Sequence, residues 1–247
     1  MATFAAYQNI LPDPNNAIGT AGQPTGTTGP GFRSIKITSD QPIVSTQTNS
    51  GRYLSRALAT QKFMIDITYN PMTRDQFEPV YNFLLQKQGG LFPFFVQLPQ
   101  HLNTRNSAFG TYSSANAASP KVTAAAEVTA GKNNFLVNLA DWSLASNGSP
   151  GPGDLFTVIS SNSNHTKVYQ VVRVENASDR LDSSSVTTPS STQLRLHTVP
   201  ALQRTLEIGA KIQFFLPAVK VIVKNKNTYD LGVDGLYKFS LKLEEVQ

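Results

Sequence analysis

The chain has 247 residues, no cysteine, a formal net charge of +5 and only 15% charged residues. The absence of cysteine excludes a disulfide scaffold, a thiolate zinc site and a cysteine nucleophile. Low charge combined with 14 Phe and 8 Tyr argues against both a coiled coil and a disordered tail, so the composition predicts a folded, mainly β protein.

Targeting and membrane segments are not expected. The N-terminus, MATFAAYQNILPDP, lacks a basic start and a long apolar run, so it does not resemble a signal peptide. No apolar run approaches the ~20 residues of a membrane helix, and no Lys/Arg run is dense enough to form a nucleic-acid stripe. We therefore expect a protein that folds in the cytoplasm and binds neither a membrane nor a specific nucleic acid.

The chain is predicted to begin with an arm and a long hairpin. Residues 1–31 are rich in Gly, Thr and Pro and have almost no apolar periodicity, which predicts an N-terminal arm. Residues 32–69 alternate as β-strands do, around turn chemistry at Asn49-Ser50-Gly51. We expect this hairpin to be apolar at its base and polar near its tip.

One helix is predicted, over residues 74–88. Thr73 and Gln76 have the spacing of a capping box, and Gly89-Gly90 marks the end of the helix. Pro79 is tolerated only near a helix start. The core face is expected to contain Phe77, Val80, Tyr81 and Leu84, packed on strands at 63–69, 91–98 and 236–246.

The second half of the chain is predicted to hold an inserted β domain. Residues 100–119 are small and polar and indicate a linker, whereas 120–216 contain short strands at the spacing of a small barrel or sandwich. The closing strands resemble the first ones in their amphipathic alternation. We therefore expect one discontinuous β domain, 32–119 with 217–247, and an inserted small β-barrel over 120–216.

Candidate catalytic or metal-binding groups do not form a known pattern. His101, His165 and His197 are far apart in the sequence, and the residues from Asp230 to Gly235 lack the carboxylates of a calcium loop. Asp179 and Asp182 stand in a Ser-rich loop with little apolar surface to raise a pKa. We expect no enzyme activity, no metal and no cofactor.

Three basic residues are the candidate interaction site. Arg52, Arg56 and Lys62 line one arm of the predicted hairpin with no acid between them. They would suit a basic projection that meets an acidic partner or a polyanion. Equally, charges on an exposed strand protect it from edge-to-edge pairing, and the sequence leaves both interpretations open.

Several segments, in this order, resemble bacteriophage tail-tip proteins. In that family a strand ending in a Y-x-P-(L/M)-T turn leads to a helix and then to a G-x-F-x-x-F strand. Here the turn is Tyr69-Asn-Pro-Met-Thr73 and the strand begins Gly90-Leu-Phe-Pro-Phe-Phe95. The segments Ser34–Ile37, Ser45–Tyr53, Gly153–Phe156, Lys167–Val171 and Gly235–Val246 are also similar, so the resemblance covers most of 32–247.

The resemblance implies a structural virion protein without catalytic residues. Its expected place is the distal tail ring, which is commonly a hexamer in the family and joins the tail tube protein to the baseplate hub and other tail-tip proteins. The implied fold is a tail-tube-like β-sandwich with a long hairpin, one flanking helix and an outward-facing inserted β domain. Such a protein is assembled in the host cytoplasm and resides in the tail of the virion.

Two other kinds of function are compatible with the sequence. A tail tube, tail terminator or baseplate wedge subunit would share the same tube-like domain. A carbohydrate-binding adhesin would stack sugars on exposed aromatic rings, for which Trp142 and Tyr169 are the candidates. Packing in the core or at the rim of the small barrel is the alternative role of both rings.

Overall fold

The computed structural model describes residues 10–12, 17–18, 24–25, 32–57, 61–159, 165–178, 188–225 and 227–246. The fold of these residues is mainly β, with 42% in strands and 16% in helices, and the chain divides into two compact units. The first unit consists of residues 1–99 and 219–247, and the second of residues 100–218. Most of the predicted N-terminal arm lies outside the described residues.

The elements are numbered in chain order over the described residues. The strands before the second unit are β1 Ala17–Ile18, β2 Pro24–Thr25, β3 Phe32–Asp40, β4 Ile43–Gln47, β5 Tyr53–Ala57, β6 Lys62–Tyr69 and β7 Phe94–Gln97. Those that follow are β8 Val122–Ala124, β9 Asn134–Leu139, β10 Leu155–Ile159, β11 Val168–Glu175, β12 Gln193–Val199, β13 Lys211–Gln213, β14 Ala218–Val223, β15 Tyr229–Leu231 and β16 Tyr237–Glu245. The α-helices are α1 Arg74–Gln86, α2 Ser107–Ala115 and α3 Leu144–Asn147.

The first unit is built on one sheet with a buried face. The strand order is β3-β6-β16-β14-β7, and β15 pairs with the first part of β16. The predicted alternation is confirmed, because every second side chain from Phe63 in β6 and from Phe239 in β16 is buried, whereas the residues between them, Met64 included, are half-buried or exposed. The core side chains of these two strands are Phe63, Ile65, Ile67, Tyr69, Phe239, Leu241 and Leu243.

Helix α1 covers that face and begins as predicted. The backbone N–H of Thr73 donates to Oε1 of Gln76 at 3.1 Å, which completes the capping box. The ring of Phe77 lies 4.5 Å from that of Tyr237, measured between centroids, and stacks on it. The predicted core face needs one correction: Phe83 is buried, whereas Tyr81 is only half-buried and stacks on Phe77.

The exit from α1 passes very close to strand β14. Gly90 has a φ of +103°, and a Cβ at this position would lie 2.6 Å from the carbonyl oxygen of Val223. Only glycine therefore allows the backbone before β7 to approach the end of β14. Because β7 and β14 are neighbours in the sheet, the end of β7 lies beside the start of β14, and the second unit is inserted between these two strands.

The second unit is a closed six-stranded barrel, as predicted for the insertion. Its strand order is β10-β11-β12-β9-β8-β13, and β10 and β13 also pair, which closes the sheet. Alternate residues of β9 and β12, such as Phe135, Val137, Leu194 and Leu196, fill the interior. Among the described residues, no helix has both the length and the apolar character needed to span a membrane.

The predicted linker over 100–119 is wrong, because this segment belongs to the barrel unit. Asn106 caps α2 by accepting the backbone N–H groups of Ala108 and Phe109 at 3.0 and 3.1 Å. Phe109 is fully buried, and Tyr112 donates its hydroxyl to the carbonyl oxygen of Ala140 at 2.6 Å. A helix of Ser, Ala and Gly with so few large side chains has too weak a periodicity to be recognised in the sequence.

A buried carboxylate also ties the start of this segment to the barrel. Asp154, just before β10, accepts the backbone N–H of Arg105 through Oδ1 and that of Gly151 through Oδ2, each at 2.7 Å. A carboxylate that accepts backbone donors away from water forms strong hydrogen bonds. The segment before α2 is therefore held in place before the helix begins.

Truncation of a core residue on α1 should destabilise the first unit. Leu84 is fully buried under the helix, so Leu84→Ala should lower the free energy of unfolding by about 2–5 kcal/mol. The neighbouring Leu85 is exposed, and Leu85→Ala should change it by less than about 0.5 kcal/mol. Chemical denaturation of both variants measures the difference, and equal effects would contradict the packing of α1 on the sheet.

The isolated barrel unit should be fully stable only when α2 is included. A fragment of residues 100–218 should give a β-type circular dichroism spectrum and a cooperative melt. A fragment of residues 120–216 lacks Phe109 and Tyr112, and so leaves a gap against Phe214, whose ring centroid lies 5.3 Å from that of Phe109. We expect this shorter fragment to melt at a lower temperature or without cooperativity; equal melting of the two fragments would show that α2 is dispensable.

Candidate interaction site

The predicted long hairpin is present, and its outer part is a two-stranded ribbon. At the base β3 pairs with β6, and beyond it β4 pairs with β5 from Ile43 opposite Ala57 to Gln47 opposite Tyr53. Gly51 closes the turn at a φ of +83° and donates its N–H to the carbonyl oxygen of Thr48 at 2.8 Å. The ribbon therefore continues the hairpin past the edge of the covered sheet.

The two faces of the ribbon differ in chemistry. Because cross-strand partners share a face and successive residues alternate, Arg52, Leu54 and Arg56 lie together. Across the ribbon, Arg52 is paired with Thr48 by a backbone hydrogen bond, and the register of β4 with β5 places Leu54 opposite Thr46 and Arg56 opposite Val44. The opposite face has no charged residue and contains Ile43, Ser45, Gln47, Tyr53 and Ser55.

The turn at the tip, residues 48–52, is polar as predicted, but the strands of the ribbon beside it expose large apolar side chains. Ile43, Val44, Tyr53 and Leu54 are 61%, 50%, 65% and 43% exposed. A two-stranded ribbon alone is marginally stable in water. Contiguous exposed apolar side chains of this kind are typical of protein interaction sites. The signal in the sequence was the apolar Ile43-Val44 pair, which the polar residues around it masked.

The structure separates Lys62 from the two arginines. Lys62 is the first residue of β6, and its Nζ lies 2.6 Å from Glu244 and 3.8 Å from Asp40. These two carboxylates neutralise it within the first unit. Arg52 and Arg56 remain together on one face of the ribbon, where no acidic residue occurs between 43 and 57, and their role in binding stays a prediction.

A second exposed apolar segment is the turn between β15 and β16. Leu231 and Val233 are exposed, and Val233 at the turn makes no packing contact that covers it. Asp234 accepts the backbone N–H of Leu236 at 3.2 Å, so its carboxylate helps to shape the turn. This is the segment that superficially resembles a calcium loop, and in the structure it is a hairpin turn.

The three histidines occupy separate places in the second unit. The ring of His165 has Nε2 3.1 Å from the carbonyl oxygen of Thr205, and His197 has Nε2 3.2 Å from Glu175. His101 is half-buried, and burial lowers its pKa while Asp154 partly opposes this effect. In the part of the chain that the structure describes, no three His, Asp or Glu side chains are placed to hold a metal ion.

An ionic cluster on β11 and β12 was not predicted from the sequence. Buried Glu175 contacts Arg173, lies 3.5 Å from Nε of Arg195, and also contacts His197. Burial lowers the pKa of His197, and the charges of Arg173 and Arg195 lower it further. Arg173 and Glu175 lie two residues apart on β11, and Arg195 and His197 lie two residues apart on β12. Their pairing depends on the register of the two strands, which the sequence does not reveal.

Trp142 and Tyr169 do not present exposed rings. Trp142 is buried and donates its Nε1–H to the carbonyl oxygen of Gly148 at 2.7 Å. Tyr169 is fully buried, stacks on Phe156 and accepts the backbone N–H of Gln203 at 3.1 Å. Both rings pack in the barrel core, so neither is available to stack on a sugar.

Neither a protein-family model nor a curated protein matches this sequence. The functional proposal therefore depends on the geometry of the described residues together with the resemblance of the segments quoted above. Among the described residues of the first unit, the ribbon β4–β5 and the β15–β16 turn expose large apolar side chains close together along the chain, and the ribbon is the longer of the two.

The stability of the barrel should depend on pH through His197. Its pKa is lowered in the folded state from the ordinary 6.5, so the unfolded state binds the proton more readily. The stabilisation is present above pH 6.5 and is lost as the pH falls toward the folded pKa. Urea denaturation between pH 5 and 7 should show stability rising with pH, and His197→Gln should reduce this rise to the part that comes from His101, whose pKa burial also lowers; an unchanged slope would contradict the role of His197.

Proposed function

We propose that this chain is a structural protein of a phage tail, a ring-forming distal tail component that links the tail tube to the baseplate hub. The observation that carries the proposal is the ribbon β4–β5, with its exposed apolar side chains and both of its faces open. A ribbon of this kind is stabilised when a second chain covers it. In a homo-oligomer each copy supplies that second chain.

The architecture of each unit supports the same proposal. A sheet with one flanking helix and a long hairpin, interrupted by a separate small barrel, has the helix, the hairpin and the insertion that the resemblance implies. The tube-like unit would form a ring, which we propose to be sixfold. The barrel would contact other tail-tip proteins or the host surface.

The resemblance does not fix the position of the chain along the tail. A tail tube, tail terminator or baseplate wedge subunit would use an exposed hairpin in the same way. We favour the distal ring because a separate inserted barrel suits a protein that also contacts outer tail-tip components. A carbohydrate-binding adhesin is less favoured, since the candidate rings Trp142 and Tyr169 are buried. The proposal assigns the chain no reaction and no cofactor.

Self-assembly should depend on the ribbon. At tens of micromolar the purified chain should sediment as an oligomer and appear as closed rings in negative stain, whereas open stacks would favour a tube subunit. Tyr53→Asp/Leu54→Asp should shift it to monomer by placing charges in the buried contact.

A matched control separates this effect from a general loss of solubility. Leu91→Asp/Ile208→Asp adds the same charge at two apolar positions that are exposed elsewhere, and this variant should still assemble. A monomeric wild-type chain would contradict the proposal, and so would assembly that tolerates the ribbon variant.

A further inference from the structure

The ribbon and the β15–β16 turn lie at opposite ends of the sheet in the first unit. The ribbon leaves at the end where Asp40 pairs with Lys62. At the other end of β6, Met72 and Tyr237 exchange backbone hydrogen bonds of 2.9 Å, and the turn lies just before Tyr237. The eight residues of β6 span roughly 25 Å, so one copy holds these two surfaces apart.

The two ends carry opposite charge. The ribbon, residues 43–57, has Arg52 and Arg56 and no acid, a net charge of +2. We call the opposite end the acidic end and define it as residues 70–78 and 227–238. It contains four carboxylates and two cations, a net charge of −2, and its charged residues are Arg74, Asp75, Glu78, Asp230, Asp234 and Lys238. Arg74 and Glu78 form an ion pair with each other, and the exposed Arg33 of β3 at the same end of the sheet reduces the net charge there to −1.

Both ends also combine charge with exposed apolar side chains. On the ribbon, Leu54 is exposed between Arg52 and Arg56 on the same face. At the acidic end, Leu231 and Val233 are exposed between Asp230 and Asp234 along the chain. Each surface therefore offers an apolar centre flanked by charges, and the two sets of charges have opposite sign.

We infer that the ribbon of one copy docks on the acidic end of a second copy. The contact places Leu54 and Val44 against Leu231 and Val233, with the arginines near the carboxylates. It is a heterologous, head-to-tail contact, because it joins two different surfaces, and repetition of such a contact generates a ring when the rotation closes. The inference rests on the proposed self-assembly and names the surfaces that would carry it.

Charge complementarity decides between this contact and a symmetric one. In a symmetric dimer through the faces that carry Arg52 and Arg56, the arginines of one copy would face those of the other, and like charges opposite each other oppose association. A symmetric dimer through the uncharged faces has no such repulsion, but it would be insensitive to reversal of these charges. The acidic ends would repel each other for the same reason. Head-to-tail docking is the arrangement in which each of the two surfaces meets its complement.

Two charge-reversed chains test the contact. The first carries Arg52→Glu/Arg56→Glu and therefore has two acidic surfaces; the second carries Asp230→Lys/Asp234→Lys and has two basic surfaces. Each alone should self-associate about tenfold or more weakly than the wild type, because docking now joins like charges. Mixed in equal amounts, they should assemble again, with the two chains alternating around the ring.

The mixing experiment has its own controls. The variant Lys132→Glu/Arg204→Glu has the same change of net charge as Arg52→Glu/Arg56→Glu, but at two exposed residues of the second unit. It should assemble as the wild type does. Circular dichroism melts check that each variant is folded. If Lys at position 230, opposite Lys238, weakens the β15–β16 hairpin, Asp75→Lys/Asp234→Lys replaces that chain.

Each outcome of the sedimentation measurements has one meaning. Recovery of assembly on mixing, with each chain alone dissociated, supports the contact. Assembly that is insensitive to both reversals, or dissociation that mixing does not repair, overturns it and leaves the ring proposal intact. A wild-type chain that stays monomeric at ~100 µM, far above the dissociation constant of a specific protein contact, overturns the contact and the ring together.

Discussion

The burial of one face of β6 and β16 under helix α1 is the constraint on which the first unit depends. Phe77 of the helix stacks on Tyr237 and lies edge-on to Phe239, so the helix contacts the start of β16 directly. A slip of one residue in either strand would turn every core side chain toward solvent. Burial under the helix therefore fixes the strand register. The register in turn determines which side chains of the hairpin are covered by the helix and which lie in the exposed ribbon.

The second unit satisfies the same physical demand in a different way. Its sheet closes on itself, so the barrel strands have no free edge to protect along the closed path, and the core is shared among all six. Closure leaves the ends of the barrel to be filled. Phe109 of α2 packs against Phe214 in that core, and Asp154 anchors the chain that leads into the helix. A segment without strong hydrophobicity thus becomes part of the core through a few specific contacts.

Strong local patterns could be predicted from the sequence, whereas features made by distant contacts could not. The alternation in β6 and β16 and the capping box of α1 are local, and so were foreseen. Helix α2 was not predicted because Phe109 and Tyr112 are its only large side chains. The Glu175 cluster was not predicted because a long loop joins β11 and β12, so the sequence does not show which of their residues pair. Grouping Lys62 with Arg52 and Arg56 failed because its partner, Glu244, is distant in sequence. The chemistry of the ribbon was visible, but its exposure was not.

Gly90 has a consequence for how this chain could change over time. By allowing the backbone before β7 to touch the end of β14, it brings together the two strands between which the barrel is inserted. The barrel is, in the topology of the sheet, one long connection between the neighbouring strands β7 and β14. A short connection between them would allow the same backbone hydrogen bonds. The barrel could therefore be lost, enlarged or exchanged for another module by recombination without disturbing the helix-covered core. A lineage could in this way acquire a new inserted domain while the helix-covered sheet stayed unchanged.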